Sequence, residues 1–460
     1  MGDQRLAAGS GPQSLQYVKI CSLYGAGFFY IPGTDTCLKV GGYVRAEVNV
    51  NAGGSFAPLT GYVETSNRAM TNSNWRVRGA ATFDARSQTE YGTLRSYLFL
   101  SMTDTNSTGT ISGLSTTGVA STGNGTGASG YNSLYAPAAF IQFAGFTAGK
   151  TASFFDFDGQ PYSNQSNIWS SNQGGNGIEL FAYTAQFGNG LSASISAENP
   201  AGRNNAILNP AATSTVLYTT TGATTTTTTT TSYNGYARQT WPDIVGNLRL
   251  DQAWGSAQVM GALHNVTAQD GIGAVTGHPD DKVGWAIGAG LKVNLPMLGK
   301  GDYVMGQFTY GEGAVDYVGS GLPSSWTVVD GTTKAVANVS DAVWGATGTE
   351  LELTKGWSIT GGYEHFWNTQ WKTSLYGSYG TLMYSDTASA ILRPTTAAVG
   401  SSADWSYWQV GSRTVWTPVT NLDLSVDVMY NSLNTAWTGA TYADQDWVSG
   451  MFRVQRNFYP

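Results

Sequence analysis

The chain has little charge. Asp, Glu, Lys and Arg together are 12% of 460 residues, roughly half the usual share of about 25%. It has three histidines, His264, His278 and His365. They lie far apart in sequence, with no HExxH and no nucleophile elbow, so a hydrolytic site has nothing to build on. The expectation is a protein that is not an enzyme and needs no cofactor. The net charge of −7 argues against nucleic acid as a partner. No run of about 20 apolar residues is present, which excludes a transmembrane helix. The most apolar early segment, Leu23 to Pro32, contains two glycines and lacks the plan of a signal peptide. The expectation is a mature, secreted form. There are two cysteines, Cys21 and Cys37. One disulfide closing a short N-terminal loop in an oxidising compartment is one reading; two buried free thiols are the other.

Glycine, threonine, serine, asparagine and aromatics fill the gap. These are strand and turn formers rather than helix formers. The stretch Asn74 to Met102 shows how they are arranged. Trp75, Val77, Gly79, Ala81, Phe83 and Ala85 alternate with Arg76, Arg78, Thr82, Asp84 and Arg86. Period two means a strand with one apolar and one charged face. After Glu90-Tyr91-Gly92 the alternation resumes, with Leu94, Leu98, Leu100 and Met102 on one side and Arg95, Tyr97 and Phe99 on the other. This is a hairpin. In a soluble sandwich its apolar face would turn inward; in an outer-membrane barrel it would meet lipid around a wet lumen.

The same plan recurs along the chain. Strands are expected near 38–50, 137–145, 150–157, 178–188, 191–198, 243–255, 256–266, 283–295, 303–313, 341–353, 357–367, 405–416, 422–433 and 446–458, besides the 74–102 hairpin. That makes about sixteen. Short turns, among them Asn189-Gly190, alternate with loops of roughly ten to forty residues. The 199–242 loop holds a threonine run from Thr224 to Thr231, a low-complexity segment. An even strand count, with short links at one end and long links at the other, describes an all-β transmembrane antiparallel barrel with short periplasmic turns and long external loops. Strands one and sixteen can then pair and leave no edge. No repeated blade motif points to a propeller. Trp75, Trp254, Trp285, Trp344, Trp357, Trp408, Trp416 and Trp447 fall near strand ends, where interfacial aromatics belong. The chain divides into residues 1–37, an N-terminal periplasmic-side segment with the disulfide loop, and 38–460, a single barrel domain.

Three stretches carry a family resemblance: DTCLKVGGYVRAEV (35–48), FIQFAGFTAGKTASFFDF (140–157) and the closing MFRVQRNFYP (451–460). They resemble the general porins of alphaproteobacteria, the Brucella and Bradyrhizobium type. The resemblance implies a sixteen-stranded homotrimer in the bacterial outer membrane, among lipid and lipopolysaccharide. It implies passive diffusion of ions and small hydrophilic solutes, and a loop after the fifth strand that folds into the lumen. One departure is the C-terminus, where Phe458 and Tyr459 are followed by Pro460 rather than ending on an aromatic residue.

With the fifth strand placed at 150–157, the inward-folded constriction loop is about 156–176. Its acidic residues are Asp156 and Asp158, with Glu179 just beyond. The lumen phase of the early strands gathers Lys39, Arg45, Arg76, Arg78, Arg86 and Arg95 into a basic wall. Acid facing base across a narrow passage would set which solutes pass. The alternative for the arginines is ion pairing with Glu47 and Asp84. Arg249, Asp251, Lys292, Glu364, Arg413, Asp423, Asp427 and Arg453 would keep the rest of the wall wet. Gly145 to Thr151 is one residue short of a phosphate loop and joins two strands. Asp156-Phe157-Asp158-Gly159 begins like a calcium loop and then departs from it, which leaves a weak calcium site as an expectation. The rival to a diffusion channel is a plugged-barrel adhesin or structural envelope protein.

Overall fold

The computed structural model describes residues 19–51, 73–105, 133–165, 169–171, 177–214, 231–237, 239–270, 277–320, 322, 325–330, 332–345 and 350–458. Sixteen antiparallel strands form a closed barrel. We number them β1 (Cys37–Val50), β2 (Ser73–Thr89), β3 (Gly92–Thr105), β4 (Ser133–Phe143), β5 (Phe146–Thr151), β6 (Ile178–Gly188), β7 (Leu191–Glu198), β8 (Asp243–Gln252), β9 (Gly255–Val266), β10 (Lys282–Asn294), β11 (Tyr303–Glu312), β12 (Lys355–Phe366), β13 (Trp371–Met383), β14 (Trp405–Val419), β15 (Leu422–Asn434) and β16 (Gln445–Asn457). Each pairs with its sequence neighbours, and β16 returns to β1 from Tyr43↔Asn457 to Val50↔Gly450. Closure satisfies every edge, as a bilayer requires.

Seven short turns lie at one end. At Asn189-Gly190 both residues have positive φ, 49° and 75°, the geometry that a two-residue hairpin needs. The first and last described residues, Lys19 and Phe458, share this end. Here the disulfide Cys21–Cys37 ties the segment before β1, and Phe29–Tyr30 pairs with Leu38 and Cys37. Phe28 of the closed loop packs beside both cysteines, and the Arg86 guanidinium lies 5.0 Å from its ring.

The long links gather at the other end. The 199–242 and 313–354 links build a small sheet there from Ile207–Ser214, Thr231–Asn234, Ala342–Val343 and Glu352–Leu353. A separate hairpin pairs Ser325–Asp330 with Thr333–Asn338. The described part of the Thr224–Thr231 run is Thr231, which pairs with Ser214; the rest lies outside the described residues.

The two faces of the wall differ as alternation dictates. Val44, Val77, Leu375 and Val426 are 52–60% exposed in the isolated chain, because they point outward to lipid. Inner positions such as Glu47, Gln258, Gln307, Glu364 and Asp427 are buried and polar.

Two expected strands shift, and one strand appears that was not expected. Residues 341–353 do not cross the membrane. Ala342–Val343 and Glu352–Leu353 belong to the external sheet, and Leu351 packs there with Val266 and Trp344. The missing strand is β13, whose inner positions are Lys372, Ser374, Tyr376, Ser378 and Gly380. That polar and glycine-rich face hid it. The fifth strand is Phe146–Thr151, not 150–157. Phe155 and Phe157 instead pack against Val245, Met260 and Tyr317. Among the tryptophans, Trp344 is buried in the external layer, and Trp447 stacks on Tyr407 inside the barrel. Trp371, not anticipated, stacks on Trp416 near the turn end.

Candidate functional site: the barrel lumen and its inward loop

The inner face of β1–β3 carries all six of the expected basic residues. Register places Lys39 beside Asp84, Arg45 beside Arg78 and Glu47 beside Arg76; Arg86 lies beside Arg95. Six cations thus share this face with two carboxylates, Glu47 and Asp84. Arg76 is largely spent: its side chain is 8% exposed and its Nε donates to Glu47 at 2.5 Å. The other Glu47 oxygen accepts from Arg453 on β16. Arg86 and Arg95 share Asp84, at 2.7 and 3.0 Å. Arg45 donates to Gln455 at 2.7 Å and lies 3.7 Å from Glu47. Arg78 donates to the Thr103 hydroxyl at 2.9 Å. The two arginine rungs, Arg45–Arg78 and the Asp84-paired Arg86–Arg95, are eight residues apart on β2, about 26 Å along the strand.

The link between β5 and β6 folds into the barrel. Its backbone N–H groups at Phe157 and Asp158 both donate to Gln307 Oε1 on β11, at 3.1 Å. Ser374 on β13 donates to the Tyr162 carbonyl. At the tip, Asn164 N–H donates to Asp427 at 2.7 Å, and Asn164 Oδ1 accepts from Arg453 at 2.7 Å and Arg413 at 3.3 Å. Gln165 accepts from Ser449 at 2.7 Å. On the return, Trp169 Nε1 donates to the Tyr407 carbonyl at 2.7 Å.

Three wall glycines admit the rings of this loop. Gly290, Gly362 and Gly380 point inward on β10, β12 and β13, where Phe157, Tyr162 and Trp169 occupy the space a side chain would need. A Cβ at Gly362 would stand 2.6 Å from the Tyr162 ring.

The loop's acids are not aimed at the basic wall. Asp156 meets Arg203 at 3.2 Å, and Arg203 meets Asp316 at 3.2 Å on its other side. Arg203 is fully buried, donates to the Ser171 carbonyl at 2.7 Å and lies 4.4 Å from the Tyr317 ring centre. Burial pushes the Asp156 carboxyl up to about 6; Arg203 pulls it back and Glu198 adds to the rise. Burial works against the Arg203 charge, but Asp156, Tyr317 and Asp316 outweigh it and hold the guanidinium above its ordinary pKa. Asp158 is fully buried. It accepts from Tyr162 Oη at 2.5 Å and from Gln160 N–H at 2.8 Å, and burial raises its pKa.

These placements correct the expectation of an acidic loop facing a basic wall. A desolvated carboxylate needs partners; Asp156 finds Arg203, and Asp158 finds Tyr162 and Gln160 within the loop itself. Glu179 departs further. It is exposed on β6 in phase with the outward Phe181, with its carboxylate 3.8 Å from Lys150 on β5. The calcium expectation meets the same geometry, since Asp158 is already engaged. Among the described residues no group of three or more His, Cys, Asp or Glu is placed to hold a metal ion.

Gln307, Ser374 and the three glycines are unanticipated wall anchors of the loop; Asp427, Arg413 and Arg453, expected only to keep the wall wet, anchor it as well. Lumen phase was legible for the charged ones. Glycine at an inward position where a polar residue is expected was the available signal for the three glycines.

A closed sixteen-strand barrel with a polar interior, an apolar outer face and a loop folded inward defines an outer-membrane channel. The sequence profile of the Porin subfamily matches residues 7–451, and the chain belongs to that family. Porin Omp2b of Brucella suis is 28% identical over 306 residues, 61% of this chain and 72% of that protein. Outer membrane protein IIIA of Rhizobium leguminosarum bv. viciae is 43% identical over 86 residues, which cover 18% of this chain and 19% of that protein. The outer membrane channel DcaP of Acinetobacter baumannii has the same fold, with a TM-score of 0.60 at 15% identity, covering 93% of this chain and 99% of that one. The protein is a porin of the bacterial outer membrane and serves passive diffusion.

Proposed function

We propose that solutes pass between the inward loop and the β1–β4 wall, that the passage favours anions, and that the native form is a homotrimer without enzymatic activity. The wall charge carries the reading on selectivity: six cations against two carboxylates on β1–β3, while the loop's Asp156 and Asp158 are buried and already engaged by Arg203 and Tyr162. The loop's described hydrogen bonds to the wall run to β7–β9, β11 and β13–β16, which leaves β1–β4 to face it. Charge at close quarters in a narrow passage sets selectivity. The Lys150–Glu179 pair on the outer face supports the trimer, because a charged residue facing mid-bilayer lipid costs about 2–4 kcal/mol and a second subunit would cover it.

Lipopolysaccharide is the proposed lipid partner. Lys282, Lys355, Glu312 and Glu352 line a cavity of about 310 Å³ at the external rim, at the height of lipid headgroups. The deciding measurement for selectivity is the reversal potential of the purified protein in a planar bilayer under a potassium chloride gradient. An anion-favouring sign is expected; a cation-favouring sign overturns the charge reading.

A further inference from the structure

The wall of β1–β4 is not simply basic. Between its two arginine rungs runs a strip of rings. Tyr43 lies next to the upper rung, with the Arg45 guanidinium 4.6 Å from its ring centre. Phe99 meets Tyr43 edge-on at 6.4 Å. Tyr97 and Phe140 stack at 5.2 Å with their planes 29° apart. The Arg95 guanidinium closes the strip, 5.1 Å from Tyr97 and 5.3 Å from Phe140. Arg78 on the upper rung lies 5.8 Å from Tyr135.

Register fixes the order. On β2, inward positions descend from Arg78 through Ala80, Thr82 and Asp84 to Arg86. Their neighbours are Tyr43 beside Ala80, Phe99 beside Thr82, Tyr97 beside Asp84 and Arg95 beside Arg86. Tyr43 and Ala80 are buried at the upper end of the strip, and Thr82 below them is partly exposed. Phe99, Tyr97 and Phe140 are each only partly buried.

A plain anion path needs cations and water. Apolar rings on a lumen wall have no use for chloride, and leaving them in water is unfavourable. They are useful to a solute that is both flat and anionic. We propose that this strip binds aryl carboxylates, solutes with a planar aromatic ring and a carboxylate, as they cross. The carboxylate is first held by Arg45 and Arg78, whose N–H donors suit a carboxylate fork. The ring then moves over Phe99 and the Tyr97–Phe140 stack, in the offset or edge-on geometries that aromatic pairs prefer. The carboxylate is released through Arg95 and Arg86 toward the turn end. Binding is weak at each step, as conduction requires.

This inference rests on the anion-favouring reading of the same wall, and its test separates the two. The purified native protein is inserted in a planar bilayer with potassium chloride. Benzoate and cyclohexanecarboxylate, of equal charge and similar bulk, are titrated in turn, and the chloride-current block is measured. Benzoate is expected to block at about fivefold lower concentration, the worth of one aromatic pair. That preference is expected to be lost in Phe99→Leu and in Phe140→Leu, each checked for folding by heat-modifiable gel mobility. Arg78→Gln is expected to weaken both acids alike. Equal block by the two acids in the native protein overturns the aryl site, and an anion-favouring reversal potential in that same protein leaves the channel reading standing. A preference that survives in both Leu variants also overturns it. A cation-favouring reversal potential overturns the charge reading, and the site falls with it.

Discussion

Trp169 stands where any side chain at Gly380 would have to be. The two are joined by the fold alone, one on the inward loop and the other on β13, and a Cβ at Gly380 would press into the indole. The indole N–H is meanwhile fixed by the Tyr407 carbonyl at 2.7 Å, so the ring cannot slide away freely. Gly380→Ala is therefore expected to unseat Trp169 and cost about 1–3 kcal/mol, the usual penalty for overpacking. Single-channel recording is the measurement: the open-channel current should become noisier as the loop loses its wall contact. Currents as quiet as those of the native protein would mean that Trp169 does not hold the loop.

Arg203 is the charge that lets Asp156 and Asp316 be buried together. Removing one partner of a buried ion pair leaves an uncompensated charge and costs about 3–5 kcal/mol, so Arg203→Met is expected to lower barrel stability by that order. The pH dependence has a definite sign. Folding raises the Asp156 pKa to about 6, above its value in the unfolded chain, so protons bind the folded form more tightly. The stability this contributes is present at low pH and lost as pH rises through about 6. Without Arg203 the carboxyl is pushed higher still. The deficit of Arg203→Met is then larger at pH 8 than at pH 5, measured as the denaturant midpoint for loss of heat-modifiable mobility. An equal deficit at both would show that Asp156 is not the group left stranded.

How much of this was legible from residues alone depends on which face they occupy. Alternation of period two placed Val77 outward and Arg78 inward without error, because a one-residue slip would put a charge in lipid. It failed on β13, where Ser374, Ser378 and Gly380 face inward and read as loop composition. They are small because the inward loop fills that side: Ser374 meets Tyr162, and Gly380 meets Trp169. The opposite error arose at Ala152 to Phe157, whose aromatics read as strand and in fact pack against Val245 and Met260. The partnership of Arg203 with Asp156 joins residues 47 positions apart through two irregular links, and no periodicity announces such a pair.

Neighbouring arginines on β2 have unequal roles. Arg76 is 8% exposed and tied to Glu47 at 2.5 Å, whereas Arg78 is partly exposed and donates to a neutral threonine. Arg78→Gln is expected to move the reversal potential toward cations by more than Arg76→Gln does. Arg76→Gln should instead show mainly as lost stability, about 1–3 kcal/mol, because a buried acceptor on Glu47 loses its donor. Equal shifts in reversal potential would mean that Arg76 is as open to the passage as Arg78.

The Lys150–Glu179 pair tests what covers the outer wall. β5 has six residues, and Lys150 is the fifth, about 13 Å along the strand from Phe146. That position falls inside the apolar band of about 25 Å that barrels present to lipid. The two residues are register partners, with side chains 31% and 59% exposed in the isolated subunit, and Glu179 also accepts from Asn199 at 3.1 Å. If a second subunit covers this face, Glu179→Lys places two like charges together in the interface. The temperature at which trimers dissociate on a gel should then fall well below that of the native protein. Glu179→Gln keeps an acceptor for Asn199 and removes only the charge, so its trimers should dissociate between the two. A Glu179→Lys trimer as heat-resistant as the native one would place this face against lipid headgroups and put the subunit contact elsewhere on the barrel.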